Sequence, residues 1–259
     1  MDAHARSISD LLADRLRADG DKPLITAYDT DTGSRTELSV ATTDNWASKA
    51  ANHLVEDLGV QRGDHVGLLL GTAWTTPLLL LACWRVGAVP VAGGWQGRAE
   101  GPAVVFVAED RLAELPGGTG SASEVLVVGR GLGARLSPEA PEGAGALRLF
   151  ADEVLAFADD YDDPELDGGA AGWPDPPLSH AALMMQAAGW PGGARVLSTA
   201  PAASLDGALA LVGALSTDGS LVLVHAGGSP GEAGEPVAGI ARDERVTHLH
   251  DGATPPRPC

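Results

Sequence analysis

Short apolar runs alternate with longer amphipathic stretches along most of this chain, and that rhythm restricts the fold more than any single motif does. Pro23 to Tyr28, Asp64 to Leu70, Ala88 to Val91, Ala103 to Val107 and Glu124 to Val128 read as strands rich in Val, Ile and Leu. Between them, Ile8 to Ala18 places Ile8, Leu11, Leu12 and Leu16 on one side of a helix. Thr42 to Leu58 predicts a helix stopped by Gly59, and Thr76 to Val86 a third, with Pro77 in the first turn where no N–H is required. Arg35 to Leu38 returns as a strand after the turn Asp29 to Gly33, and Asp152 to Ala158 predicts a short helix. The rhythm then resumes as helix Ser179 to Ala188, strand Arg195 to Ser198, helix Leu205 to Leu215, strand Ser220 to His225, helix Pro236 to Asp243 and strand Val246 to His250. Strands joined by helical crossovers pair in parallel, so the expected class is α/β. The expected architecture is two lobes of mostly parallel sheet flanked by helices. A first lobe is expected over 1–158 and a second over 178–251. An acidic, Gly/Pro-rich linker over 159–177 and a flexible tail over 252–259 complete the division.

Charge removes several functions. The net charge is −18, which repels nucleic acid and anionic membranes. Lys22 and Lys49 are the only lysines, so a phosphate-gripping lysine has to be one of them. Cys83 and Cys259 are too few for a disulfide framework. The start, Met1-Asp-Ala-His-Ala-Arg-Ser7, lacks the pattern of a secretory signal. Val66 to Trp84 is free of charge, but Gly71, Thr72, Thr75, Thr76 and Pro77 break it into strand, turn and helix rather than a membrane span. A soluble, cytoplasmic protein is expected.

Several segments, in order, resemble the acyl-adenylate-forming enzymes, the superfamily of acyl-CoA synthetases, peptide-synthetase adenylation domains and luciferases. Gly59-Val-Gln-Arg-Gly-Asp64-His-Val is similar to that family's turn into a strand, and Ala82-Cys-Trp-Arg-Val-Gly87-Ala-Val-Pro90 to its helix-to-strand step. Leu178-Ser-His180 resembles the segment that follows its phosphate loop. Val196 to Pro201, Asp218 to Leu223 and Arg245 to Leu249 resemble the units after it. The resemblance covers 8–250 and implies the N-terminal domain of an AMP-forming ligase, with ATP or AMP, magnesium and CoA as the family's cofactors.

The family's loop reads roughly T-S-G-[ST]-T-G-x-P-K and falls on Asp167 to Asp175. Gly169, Gly172 and Pro174 keep its shape, whereas Ala170 and Ala171 stand for the hydroxyls and Asp175 for the lysine. An anion about 4 Å from a phosphate charge, at an effective dielectric of about 20, costs on the order of 4 kcal/mol. The acidic run Asp159, Asp160, Asp162, Asp163, Glu165 and Asp167 adds to that field. No counterpart of the later family motifs or of the lid lysine is found in the 259 residues, which reads as a truncated, degenerate member. The expectation is therefore no catalytic residue and no cofactor. A retained cleft, lined by Trp173, His180 and Ser204, is expected to hold a small acyl or nucleotide-like ligand. Trp173 is expected to plug the vacated phosphate cavity. The alternatives are a ligase completed by a partner chain and a protein-interaction module.

Other patterns are weaker. Gly129-Arg-Gly131-Leu-Gly-Ala134 matches a dinucleotide fingerprint, but Pro138 and Pro141 stop the helix it needs. His248-Leu-His250-Asp251 could hold a metal only with further ligands, which the sequence does not name. Ser204, Asp206 and His180 lack the Gly-x-Ser-x-Gly elbow of a hydrolase. The acidic run lacks the spacing and the glycine of a calcium loop.

Overall fold

The structure is a computed structural model that describes residues 6–93, 101–115, 124–129, 147–162, 164–225, 234–252 and 256–259. Helix α1 (Ile8–Asp19) begins where Ser7 and Asp10 cap each other. Ser7 Oγ accepts the Asp10 N–H at 3.2 Å, and Asp10 Oδ2 accepts the Ser7 N–H at 2.7 Å. Strands β1 (Pro23–Asp29) and β2 (Ser34–Ser39) form an antiparallel hairpin. Helix α2 (Val40–Asn52) is capped by Ser39 and runs into a π-helical turn at His53–Asp57, where the Leu58 N–H reaches the His53 carbonyl. The helix expected over 42–58 thus widens in its last turn. Next come β3 (His65–Leu69), α3 (Thr75–Val86), β4 (Val89–Val91) and β5 (Val104–Ala108). A 3-10 turn at Glu109–Glu114 precedes β6 (Glu124–Val128), β7 (Arg148–Leu149) and α4 (Phe150–Val154). A second hairpin, β8 (Ala171–Pro174) with β9 (Pro177–Ser179), leads into α5 (His180–Ala187). The chain then gives β10 (Arg195–Ser198), α6 (Leu205–Ser216), β11 (Ser220–His225), α7 (Gly234–Asp243), β12 (His248–His250) and β13 (Arg257–Pro258).

Two larger sheets result. One has the order β4-β3-β5-β6-β7 and is parallel throughout. The other has the order β13-β12-β10-β11-β1-β2, parallel except at its two outer pairs. Sheet membership does not follow the expected division at 158–178, because β1 and β2 join the sheet built by the second half, with Asp29 opposite His225. The tail also departs from expectation: Arg257 and Pro258 pair with Leu249 and His248.

A layer of helices sits between the sheets. Helix α3 is buried all round, as an apolar helix at the centre must be. Its Arg85 is compensated by Asp44 at 3.0 Å and Ser48 at 2.8 Å. Along β5 the side chains alternate by strand periodicity: Val104 and Phe106 join this central core, while Val105 and Val107 pack on the outer face. Among the described residues no helix is long and apolar enough to cross a membrane.

Candidate functional site: a closed hairpin and a crevice

The chain is latched to the fold where it enters the segment expected to act as a linker. Lys49 Nζ donates to the Phe157 carbonyl at 2.6 Å, and Asn52 Nδ2 donates to the carbonyls of Ala158 and Asp160. Asp163, within the acidic run, lies outside the described residues.

The hairpin that follows forms where the resemblance led one to expect a phosphate loop. Asp167 opens it by accepting the Gly169 N–H on its side chain at 2.9 Å and the Ala170 N–H on its carbonyl at 3.0 Å. Ala171 then pairs with Ser179, Trp173 with Leu178, and Pro174 with Pro177. The first turn of α5 is satisfied internally. The N–H groups of His180, Ala181 and Ala182 go to the Ala170 carbonyl, the Gly168 carbonyl and Ser179 Oγ. A phosphate is held by backbone N–H groups aimed outward, with hydroxyls and a cation beside them. Pro174, Pro176 and Pro177 have no N–H, so Asp175 alone carries one at the tip, next to its own carboxylate. The Asp175–Pro176 bond is cis and Asp175 is exposed.

The inner side of the hairpin is packed. Trp173 is only 5% exposed and belongs to the central core. Trp84 Nε1 donates to the Gly172 carbonyl at 2.9 Å. Gly172 has no space for a side chain, since a Cβ there would stand 2.7 Å from Leu183 Cδ1 and 3.0 Å from His180 Cδ2. His180 is fully buried, accepts the Ile8 N–H on Nδ1 at 3.3 Å, and lies edge-on to Trp84. Burial pushes its pKa down to about 4, helped by the positive charge of Arg62. Trp173 and His180 are buried core residues and line neither of the two larger cavities described below, which differs from the cleft-lining role expected of them.

Ser204 does line a crevice. This space of about 190 Å³ lies beyond the C-terminal ends of β3 and β4, against the loop after β10, and is bounded by Leu68, Leu70, Ala92, Arg111, Ala203 and Ser204. The carboxyl ends of parallel strands are where α/β folds bind ligands. Ser204 itself caps α6, accepting the Gly207 N–H at 3.1 Å and donating to the Pro201 carbonyl at 2.7 Å. Arg111 is held by Glu114 and by the Leu70 carbonyl. Among the described residues that line this crevice no general base stands beside Ser204, and His180, bonded to Ile8, is not brought to it.

The remaining motifs resolve similarly. His250 is buried, with Nδ1 3.0 Å from Ser198 Oγ and its ring against Trp190, while His248 bonds Thr247. Neither belongs to a group of three candidate ligands among the described residues. Of the glycine pattern at 129–134, only Gly129 lies among them. Two groupings went unread in the sequence, Asp29 with Asp31 and His225, and His53 with Asp57 and Glu153. In the second, the Arg148 guanidinium occupies both carboxylates, so it is an ion-pair network. Both join residues more than ninety positions apart, and no local spacing signals them.

Residues 12–109 match the AMP-binding enzyme family. The chain is 33% identical over 216 residues to a "TIGR03089 family protein" of Mycobacterium tuberculosis, covering 79% of this chain and 84% of that protein. Among solved structures, the acetoacetyl-CoA synthetase of Streptomyces lividans superposes with a TM-score of 0.74 at 18% identity, over 94% of this chain and 42% of that one. A Brucella canis acyl-CoA synthetase gives 0.74 at 19%, over 94% and 46%. The anthranilate CoA ligase AuaEII, solved with anthranoyl-AMP, gives 0.73 at 16%, over 95% and 48%. The chain thus spans less than half the length of each of these structures, and at such identities the likeness speaks to the fold. The chain belongs to the family of that mycobacterial relative, and its residues 12–109 carry the match to AMP-binding enzymes.

Proposed function

We propose that this chain is a non-adenylating member of its superfamily that holds a small acyl or nucleotide-like ligand in the crevice beyond β3 and β4. One observation carries the reading. The phosphate-loop position is a closed hairpin whose tip offers three prolines, one N–H and an exposed carboxylate, and neither hydroxyl nor lysine. Magnesium–ATP does not fit those residues. The crevice supports binding because its walls are sheet ends and a helix start, which persist without the chemistry.

ATP–pyrophosphate exchange with a panel of carboxylic acids tests the first half. No exchange above the enzyme-free rate is expected, and exchange with any acid overturns the reading. Thermal-shift titration with AMP, CoA and non-hydrolysable acyl-adenylates tests the second, with stabilisation by an acyl-bearing ligand and none by magnesium–ATP. A second reading is a ligase completed by a partner chain. Exchange that appears only when a candidate partner is added would favour it.

A further inference from the structure

A second cavity is larger than the crevice. It lies at the opposite end of β3, between the start of α1, the turn carrying Arg62 and the segment entering the hairpin, and encloses about 560 Å³. That volume is within the roughly 300–1,000 Å³ of small-molecule sites. Its wall is half apolar, through Ala13, Pro164 and Leu166, and its charged part is divided: Asp10, Glu165 and Asp167 face the same space as Arg62. Among the described residues Arg62 forms no ion pair. The carboxylates are held in place. Asp10 Oδ2 accepts the N–H and the hydroxyl of Ser7 at 2.7 and 3.0 Å, and Asp167 Oδ1 accepts the Gly169 N–H at 2.9 Å. Ser9, also in the wall, has a buried hydroxyl with no hydrogen-bond partner.

We propose that this cavity binds a free basic amino acid. Such a ligand carries one carboxylate, which suits the fork of Arg62, and two cations, which suit the three carboxylates. A simple anion would meet an excess of negative charge, and a simple diamine would leave Arg62 unanswered. The site is separate from the crevice, so its test is independent of the function proposed above.

Isothermal titration of the whole chain with L-lysine and L-arginine is the test, against cadaverine, which lacks the carboxylate, and norleucine, which lacks the side-chain cation. Saturable one-to-one binding is expected, with both controls weaker by about tenfold or more. Arg62→Ala is expected to remove the preference for lysine over cadaverine, and Glu165→Gln to weaken lysine several-fold. Both side chains are exposed, so the fold is retained and can be checked by circular dichroism. No saturable heat up to about 10 mM, equal binding of cadaverine and lysine, or unchanged binding in Arg62→Ala would each overturn the proposal.

Discussion

Trp173→Ala tests directly whether the hairpin is closed. An indole buries roughly 150–250 Å², worth about 4–6 kcal/mol at about 25 cal/mol per Å². Trp173 is 5% exposed, so nearly all of that area counts. Residual compaction of the unfolded chain lowers the figure to about 3–5 kcal/mol, the range measured for large-to-small changes in cores. Urea unfolding followed by far-ultraviolet circular dichroism should show a lower midpoint at unchanged slope. Trp173→Phe keeps most of the buried area and should lose much less. A loss below about 1 kcal/mol for the alanine variant would refute the reasoning, because surface positions behave that way. It would mean that the segment is an open loop, and the proposed lack of adenylation would then have to rest on charge alone.

The other predictions concern local chemistry. His180 has a folded-state pKa of about 4 against an ordinary 6.5, so the unfolded chain takes up its proton first as pH falls. Its contribution is complete above the unfolded value and is lost as pH drops from 6.5 towards 4, by about 3 kcal/mol. Denaturant midpoints across that window should fall, and less steeply in His180→Gln. Gly213→Ala would set a Cβ 2.2 Å from Trp190 Cδ2, so calorimetry should show a loss at or above the roughly 1–3 kcal/mol of ordinary overpacking. Ser204→Ala removes the cap of α6 and should lower stability by about 1 kcal/mol in urea unfolding. Esterase assays should find no hydrolysis in either Ser204 form.

The strand–helix rhythm was legible because each buried strand is a short apolar run and each crossover helix carries a wide apolar stripe. Lateral strand order was not legible. Nothing local in Pro23 to Asp29 says that its neighbour is Ser220 to His225 rather than His65 to Leu69. The hairpin at 171–179 was read as linker because Gly and Pro mark turns, and two strands this short have no periodicity to reveal. What holds it is long-range, the Trp84 bond and the Trp173 contacts, which no window of sequence contains. The replacement at Asp175 was readable, but its strength was not. At an exposed tip the effective dielectric approaches that of water, and about 4 kcal/mol shrinks towards about 1. In the proposed reading, what opposes phosphate binding therefore lies more in the prolines and the closed ladder than in the carboxylate.

The pairing of β1 with β11 has a consequence for synthesis. A chain emerging from the ribosome at about 5–20 residues per second exposes Leu24 and Ile25 roughly ten seconds or more before their partner strand exists. Until Leu221 to Val224 are made, the first hairpin has an open edge and nothing beside it. The five-stranded sheet has no such wait, since all its strands lie between His65 and Leu149. Folding should thus begin in the middle of the chain and close last at its start, and a fragment stopping before residue 220 would keep a parallel core yet leave an adhesive N-terminal ribbon.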